Sequence, residues 1–117
     1  MIEETYVSFE TAKLLKEKGF GECSTSYISE DGDIFPTPLV KRKEHYPAPT
    51  QQMAMRWLRE VHNLHVDVDP SEGNWNPTIL ELENWSSVVE DETGLSIYDS
   101  YEEAVEAALK YCLEHYL

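Results

Sequence analysis

The stretch 46–69, YPAPTQQMAMRWLREVHNLHVDVD, constrains the fold more than any other part of the chain. Pro47 and Pro49 fix their own φ angles and bias the preceding residues away from helix, so the chain enters this stretch extended. Thr50 is suited to cap a helix, and no Gly or Pro interrupts residues 51–62. The stretch therefore predicts an extended lead followed by a capped helix over residues 51–62.

Hydrophobic periodicity predicts one buried face on this helix. At 100° per residue, one side collects Met53, Ala54, Trp57, Leu58 and Val61. The opposite side holds Gln52, Met55, Arg56 and Arg59. Asn63 is suited to a left-handed C-cap, and residues 64–69 then alternate apolar and polar side chains in the period of a half-buried strand. Because the connection is short, we expect the helix and the strand to pack together.

Two further helices are predicted near the ends of the chain. A Ser8 cap and a Gly19 stop predict a helix over about residues 9–18. Ser100 and Glu103 match a capping box, and no helix breaker follows them. The expected buried stripe of this last helix is Tyr101, Ala104, Val105, Ala108, Leu109, Cys112 and Tyr116.

The remaining segments predict short strands in a single domain of 117 residues. Residues 24–29 suit one strand, and residues 64–69 and 78–83 suit an antiparallel pair joined by the turn-rich residues 70–77. Residues 34–49 are rich in proline and charge and predict a flexible loop. Helices and strands are segregated rather than alternating, which favours an α+β fold. We expect about three helices packed on one small antiparallel sheet of three to five strands.

The charge balance limits the kinds of partner. Twenty-three acidic and nine basic residues give a net charge of −14, which repels phosphate backbones and anionic lipids and argues against direct binding of nucleic acid or membrane. No run approaches the roughly 18 apolar residues of a membrane span, and the N-terminus lacks a secretion signal, so we expect a cytoplasmic protein. Cys23 and Cys112 match no metal or redox spacing and are expected to be reduced, buried thiols.

The basic residues are concentrated in one region. Five of the nine are Lys41, Arg42, Lys43, Arg56 and Arg59, whereas residues 61–109 contain 12 carboxylates and no Lys or Arg. The basic group is a candidate binding patch for a phosphate or for a carboxylate-bearing partner. The alternative is an ordinary exposed helix face and loop. The acidic half could likewise mimic DNA and inhibit a nucleic-acid-binding host protein, or simply keep the chain soluble.

A candidate metal site is formed by His62, His65, Asp67 and Asp69. Imidazole and carboxylate groups are the usual ligands of zinc or manganese. Same-face residues of a flat strand stand about 7 Å apart, so these side chains would have to bend toward one ion. The alternative is the solvated outer face of a strand. No cofactor-binding motif and no catalytic signature is present, so we expect neither a cofactor nor an enzyme.

The three tryptophans suit different positions. Trp57 lies on the apolar helix face and is expected in the core. Trp75, in a Gly- and Asn-rich stretch, suits either recognition or a lid over the core. Trp85 follows the predicted strand 78–83 and is expected to extend it or to begin another.

At YPAPTQQMAMRWLREVHNLHVDV, SYEEAVEAALKYCL and TAKLLKEKGF the chain resembles a group of small uncharacterised proteins encoded in bacterial genomes and prophages, particularly of Bacteroides-type bacteria. The resemblance covers most of the chain and implies a phage-related or mobile-element origin. It implies no catalytic or ligand residue. From the residues themselves we expect a soluble accessory protein that acts through contacts with an unidentified protein partner, by way of the Arg56 and Arg59 face or the proline-rich loop.

Overall fold

Three helices and six short strands make up the described part of the chain, which comprises residues 4–20, 26–36, 45–87 and 97–117 of a computed structural model. The helices are α1 (Phe9–Glu17), α2 (Gln51–His62) and α3 (Tyr101–His115). The strands are β1 (Tyr27–Ser29), β2 (Ile34–Phe35), β3 (His45–Pro47), β4 (Leu64–Ser71), β5 (Asn74–Glu81) and β6 (Ser86–Ser87). The α+β class is confirmed.

Each helix begins at the capping residue that the sequence predicted. The side chains of Ser8, Thr50 and Ser100 each accept a hydrogen bond from the backbone N–H three residues later. This satisfies one of the N–H groups that has no partner within the helix. Helix α2 ends at His62, and its C-cap Asn63 has the predicted left-handed conformation with φ of 56°.

The strands form two sheets rather than the single sheet expected. Both are antiparallel and three-stranded, with the orders β2-β1-β3 and β4-β5-β6. Each strand pairs with a strand close to it in the sequence, and α2 separates β3 from β4. Local pairing of this kind is the usual arrangement because it needs only short connections. Of the predicted flexible loop at 34–49, residues 34–35 and 45–47 lie in strands and residues 37–44 lie outside the described part.

The β4–β5 hairpin is longer than the alternation predicted. Its strands continue through residues 70–77, where we expected a turn, and are joined by Glu72 and Gly73 alone. Both have positive φ, 47° and 88°, as a two-residue type I′ turn requires. Two prolines in this region suggested a loop, but a strand accommodates proline where its missing N–H has no partner strand to bond. Pro70 lies in the edge strand β4. At Pro77, no described strand pairs with the side of β5 that faces away from β4.

Helix α3 is the centre of the core. It packs against α1, α2, β4 and β5, and no helix in the described residues is long and apolar enough to cross a membrane. Because neighbours cover α3 on several sides, Leu113 is fully buried in addition to the predicted stripe. Tyr116 was predicted to be buried and is 41% exposed, since the helix ends at His115. Tyr101 is half-buried.

Glu106 of α3 joins the beginnings of α1 and α2. Its Oε2 accepts hydrogen bonds from Ser8 N at 3.1 Å, from Ser8 Oγ at 2.7 Å and from Thr11 Oγ1. Its Oε1 accepts one from Gln51 Nε2 at 3.2 Å. Thr11 and Gln51 are both buried, so the carboxylate provides acceptors that water cannot replace. A negative charge here also complements the positive end of the α1 dipole.

An exposed ion pair joins α1 to α3 as well. Lys110 Nζ lies 2.6 Å from Glu10 Oε2. The hydrogen bond and charge of Lys110 lower the pKa of Glu10, and the hydrogen bond to Glu10 raises the pKa of Lys110. Solvent screens this exposed pair, so it contributes little to stability, and Glu106 contributes more to holding α1 against α3.

Replacing Glu106 should destabilise the fold. We expect Glu106→Ala to lower the free energy of unfolding by about 2–3 kcal/mol, because two buried donors lose their acceptor. Urea unfolding followed by circular dichroism measures the change. The control is Glu114→Ala, an exposed carboxylate of the same helix, which should change stability by less than about 0.5 kcal/mol. Equal losses in the two variants would contradict the assigned role.

Cys112 should make stability depend on alkaline pH. Burial raises the pKa of this thiol from 9.0 to about 12. Between these values the unfolded chain releases the thiol proton while the folded chain retains it, so the free energy of unfolding falls as pH rises, by up to about 1.4 kcal/mol per pH unit. Cys112→Ala should be less stable than the parent at pH 8, and this deficit should shrink steadily by pH 11. A constant deficit would show that the thiol does not contribute. Cys23 lies outside the described residues.

Candidate functional site

The predicted basic patch is only partly described by the structure. Arg56 and Arg59 both lie on the exposed side of α2, whereas Lys41, Arg42 and Lys43 lie outside the described residues. Arg56 Nε is 3.2 Å from Glu60 Oε2, and the two side chains are 61% and 58% exposed. A pair this exposed contributes less than about 1 kcal/mol, so a partner can replace it at little cost. Arg59 forms no ion pair with any described residue.

An apolar groove runs along α2, and Arg56 is one of the residues that line it. We call it the α2 groove. The residues that line it are Phe20, Met53, Arg56, Trp57, Glu60 and Val61. Trp57 and Phe20 are 8% and 6% exposed and pack edge to face with ring centroids 5.4 Å apart, so they form a fixed floor. Met53 and Val61 stand above that floor, 49% and 56% exposed. The groove encloses about 270 Å³, below the range of most small-molecule pockets.

The groove exists because α2 is rotated from the orientation that its periodicity predicted. Met53 and Val61 were expected in the core and are exposed, while Met55 was expected outside and is buried. At 100° per residue the buried arc is shifted by roughly 50°. The cause is Gln51, whose Nε2 donates to Glu102 O at 3.0 Å and to Glu106, turning its side of the helix toward α3. Hydrophobic periodicity does not predict this rotation, because Gln51 is polar and would be assigned to the surface.

The predicted metal ligands are not brought together. Among the described residues, no group of three or more His, Cys, Asp or Glu side chains is placed to hold a metal ion. His62 ends α2 with its ring 4.7 Å from that of Trp57. His65, Asp67 and Asp69 alternate along β4, opposite Leu80, Thr78 and Asn76 of β5, so strand geometry keeps them apart. Asp67 Oδ1 accepts from Val68 N at 3.1 Å. This arrangement favours the alternative, in which these side chains form the solvated outer face of a strand.

The other two tryptophans differ in exposure. Trp75 is half-buried, forms backbone hydrogen bonds with Tyr98 and packs edge to face on Tyr101 at 5.6 Å, so it covers the core rather than standing free. Trp85 was expected in a strand and instead lies in the turn between β5 and β6, 76% exposed. Its position in a turn follows from pairing of Glu81 with Ser86, which leaves four residues between the strands.

Comparison of the chain with protein-family models, with curated proteins and with solved structures finds no match. The resemblance to prophage-encoded proteins stays a prediction, as does the inhibition of a nucleic-acid-binding protein by the acidic half.

The rotation of α2 has a direct consequence for stability. Met55→Ala should lower the free energy of unfolding by about 2–4 kcal/mol, because it removes buried apolar contacts and leaves a cavity. Met53→Ala, two positions away on the same helix, should change it by less than about 1 kcal/mol. Thermal and urea unfolding of the two variants measure the difference. The opposite ranking would place Met53 in the core and remove the groove.

Proposed function

We propose that this chain is a soluble, cytoplasmic, non-enzymatic accessory protein of phage origin that binds a protein partner through the α2 groove. The observation that carries the proposal is the exposure of Met53 and Val61 above the buried Trp57 and Phe20. Apolar side chains gathered around a groove and edged by charge are typical of protein-binding surfaces. The phage origin is supported only by the sequence resemblance.

The composition of the groove suits a protein partner. Met, Trp and Arg are enriched at protein interfaces, and all three line this surface. Met53, Trp57 and Val61 lie four residues apart, which spaces them over about 12 Å along one side of α2. This is the length over which an amphipathic helix or an extended segment presents two or three anchor side chains.

The charges beside the groove indicate the partner's polar contacts. Arg59 has no carboxylate partner among the described residues, and Arg56 is held only by the exposed Glu60. A partner segment with a bulky apolar side chain and a nearby carboxylate would fill the groove and pair with Arg56, which lines it, in place of Glu60. Because the chain is strongly acidic overall, these arginines provide a local point of attraction for such a carboxylate.

Selection from a displayed peptide library tests this function. We expect the selected peptides to combine an aromatic or large aliphatic residue with Asp or Glu. Met53→Asp and Val61→Asp should each weaken their binding at least about tenfold, because a charge would be desolvated on contact. Arg56→Glu should weaken it through charge reversal, because Arg56 lines the groove. Calorimetry measures the affinities, and circular dichroism should show unchanged folding since both apolar residues are exposed.

Ile97→Asp is the matched control, because Ile97 is a comparably exposed apolar residue, 59%, outside α2. It should leave peptide affinity unchanged. If the selected peptides bind Met53→Asp and Val61→Asp as tightly as the parent chain, the α2 groove is not the interface.

A further inference from the structure

The turn at residues 82–85 displays a tryptophan in an unusual backbone conformation. Trp85 is 76% exposed, the largest exposure among the large hydrophobic residues of the described part. Its φ is 56°, in the left-handed region that Gly and Asn adopt readily and that bulky residues rarely do. Its indole forms no ring contact with any described residue. The turn therefore combines an unfavourable backbone conformation with an exposed aromatic ring, and no ring contact within the described part of the chain offsets this cost.

The turn is held in place by groups other than Trp85. The Glu81 carboxylate accepts from Glu83 N at 3.1 Å, from Asn84 N at 3.3 Å and from Asn84 Nδ2 at 2.7 Å. Leu82 N donates to Asn63 O at 2.8 Å, which fixes the turn beside the end of α2. The backbone that presents Trp85 is thus organised before any partner binds, which lowers the entropic cost of binding.

The charge around the turn selects one class of partner. Glu81 and Glu83 supply two carboxylates at the turn, and residues 81–87 contain no Lys or Arg. Glu83 is exposed, and its carboxylate makes one long contact, 3.5 Å from Asn63 Nδ2. The face of an indole ring carries negative potential and attracts cations. A guanidinium group can stack on that face while it donates to a carboxylate, which an ammonium group does less well.

We propose that the Trp85 turn is a second binding site, which receives an arginine side chain of a partner protein between the indole of Trp85 and the carboxylate of Glu83. The site differs from the α2 groove in the charge that it selects, and it lies beside Asn63, the C-cap of α2. Phosphate-bearing ligands and anionic lipids are disfavoured by the same carboxylates.

A titration with a short arginine peptide tests the site. The probe is a flexible Gly- and Ser-rich octapeptide with two arginines, and its control is the same peptide with citrulline, which keeps the shape and removes the charge. In the ¹⁵N-labelled chain, the arginine peptide should shift the indole N–H resonance of Trp85 and leave those of Trp57 and Trp75 in place. The shift should weaken at about 0.5 M NaCl, where exposed charges are screened. Equal binding of the citrulline peptide would overturn the proposal.

Substitution of Trp85 separates recognition from structure. Gly fits a φ of 56° without strain, so Trp85→Gly should keep or raise the melting temperature while it weakens arginine-peptide binding by about threefold to thirtyfold. Glu83→Gln should also weaken binding, and Ile97→Ala, an exposed residue near the opposite end of β5, should not. A lower melting temperature in Trp85→Gly would make the indole structural and overturn the site. Unchanged binding would show attraction by the acidic surface at large and also overturn it. Neither result would bear on the α2 groove, which Val61→Asp tests separately.

Discussion

The carboxylate of Glu106 is the contact on which the arrangement of the three helices depends. It lies in the middle of α3 and accepts hydrogen bonds from Ser8, Thr11 and Gln51, at the first turns of α1 and α2. The N-terminus of a helix carries a partial positive charge, and this half-buried carboxylate accepts from one backbone N–H and from side chains of both helices at once. The apolar residues of the three helices pack together in the relative positions that these hydrogen bonds hold.

The same contact determines which side of α2 faces solvent. Gln51 donates to both Glu106 and the carbonyl of Glu102, and this draws Met55 into the core and leaves Met53 and Val61 outside. The α2 groove is thus a consequence of how α2 is joined to α3. At the other end of α2, Asn63 turns the chain into β4 and accepts from Leu82, which positions the Trp85 turn. Helix α2 therefore lies next to two surfaces of opposite charge. Arginines lie along its exposed side, and carboxylates of the Trp85 turn lie beside its C-cap.

Local signals in the sequence were sufficient for much of the fold. The caps at Ser8, Thr50 and Ser100 and the left-handed Asn63 follow from the chemistry of single side chains, so helix bounds were predicted closely. The candidate site was predicted less well. Arg56 and Arg59 do lie on an exposed face, but the apolar residues beside them were assigned to the core. His62, His65, Asp67 and Asp69 resemble a ligand set in sequence, but alternation along a strand separates such side chains in space.

The sequence by itself determined where the helices begin, which strands form the β4–β5 pair, and how charge divides along the chain, because each depends on neighbouring residues. Only the tertiary structure decided that the strands form two sheets, that α2 is rotated toward Gln51, and that Trp85 stands exposed in a left-handed turn. These depend on contacts between residues far apart in the chain, such as Gln51 with Glu106 and Asn63 with Leu82. The hydrophobic periodicity of a single segment cannot predict contacts of this kind.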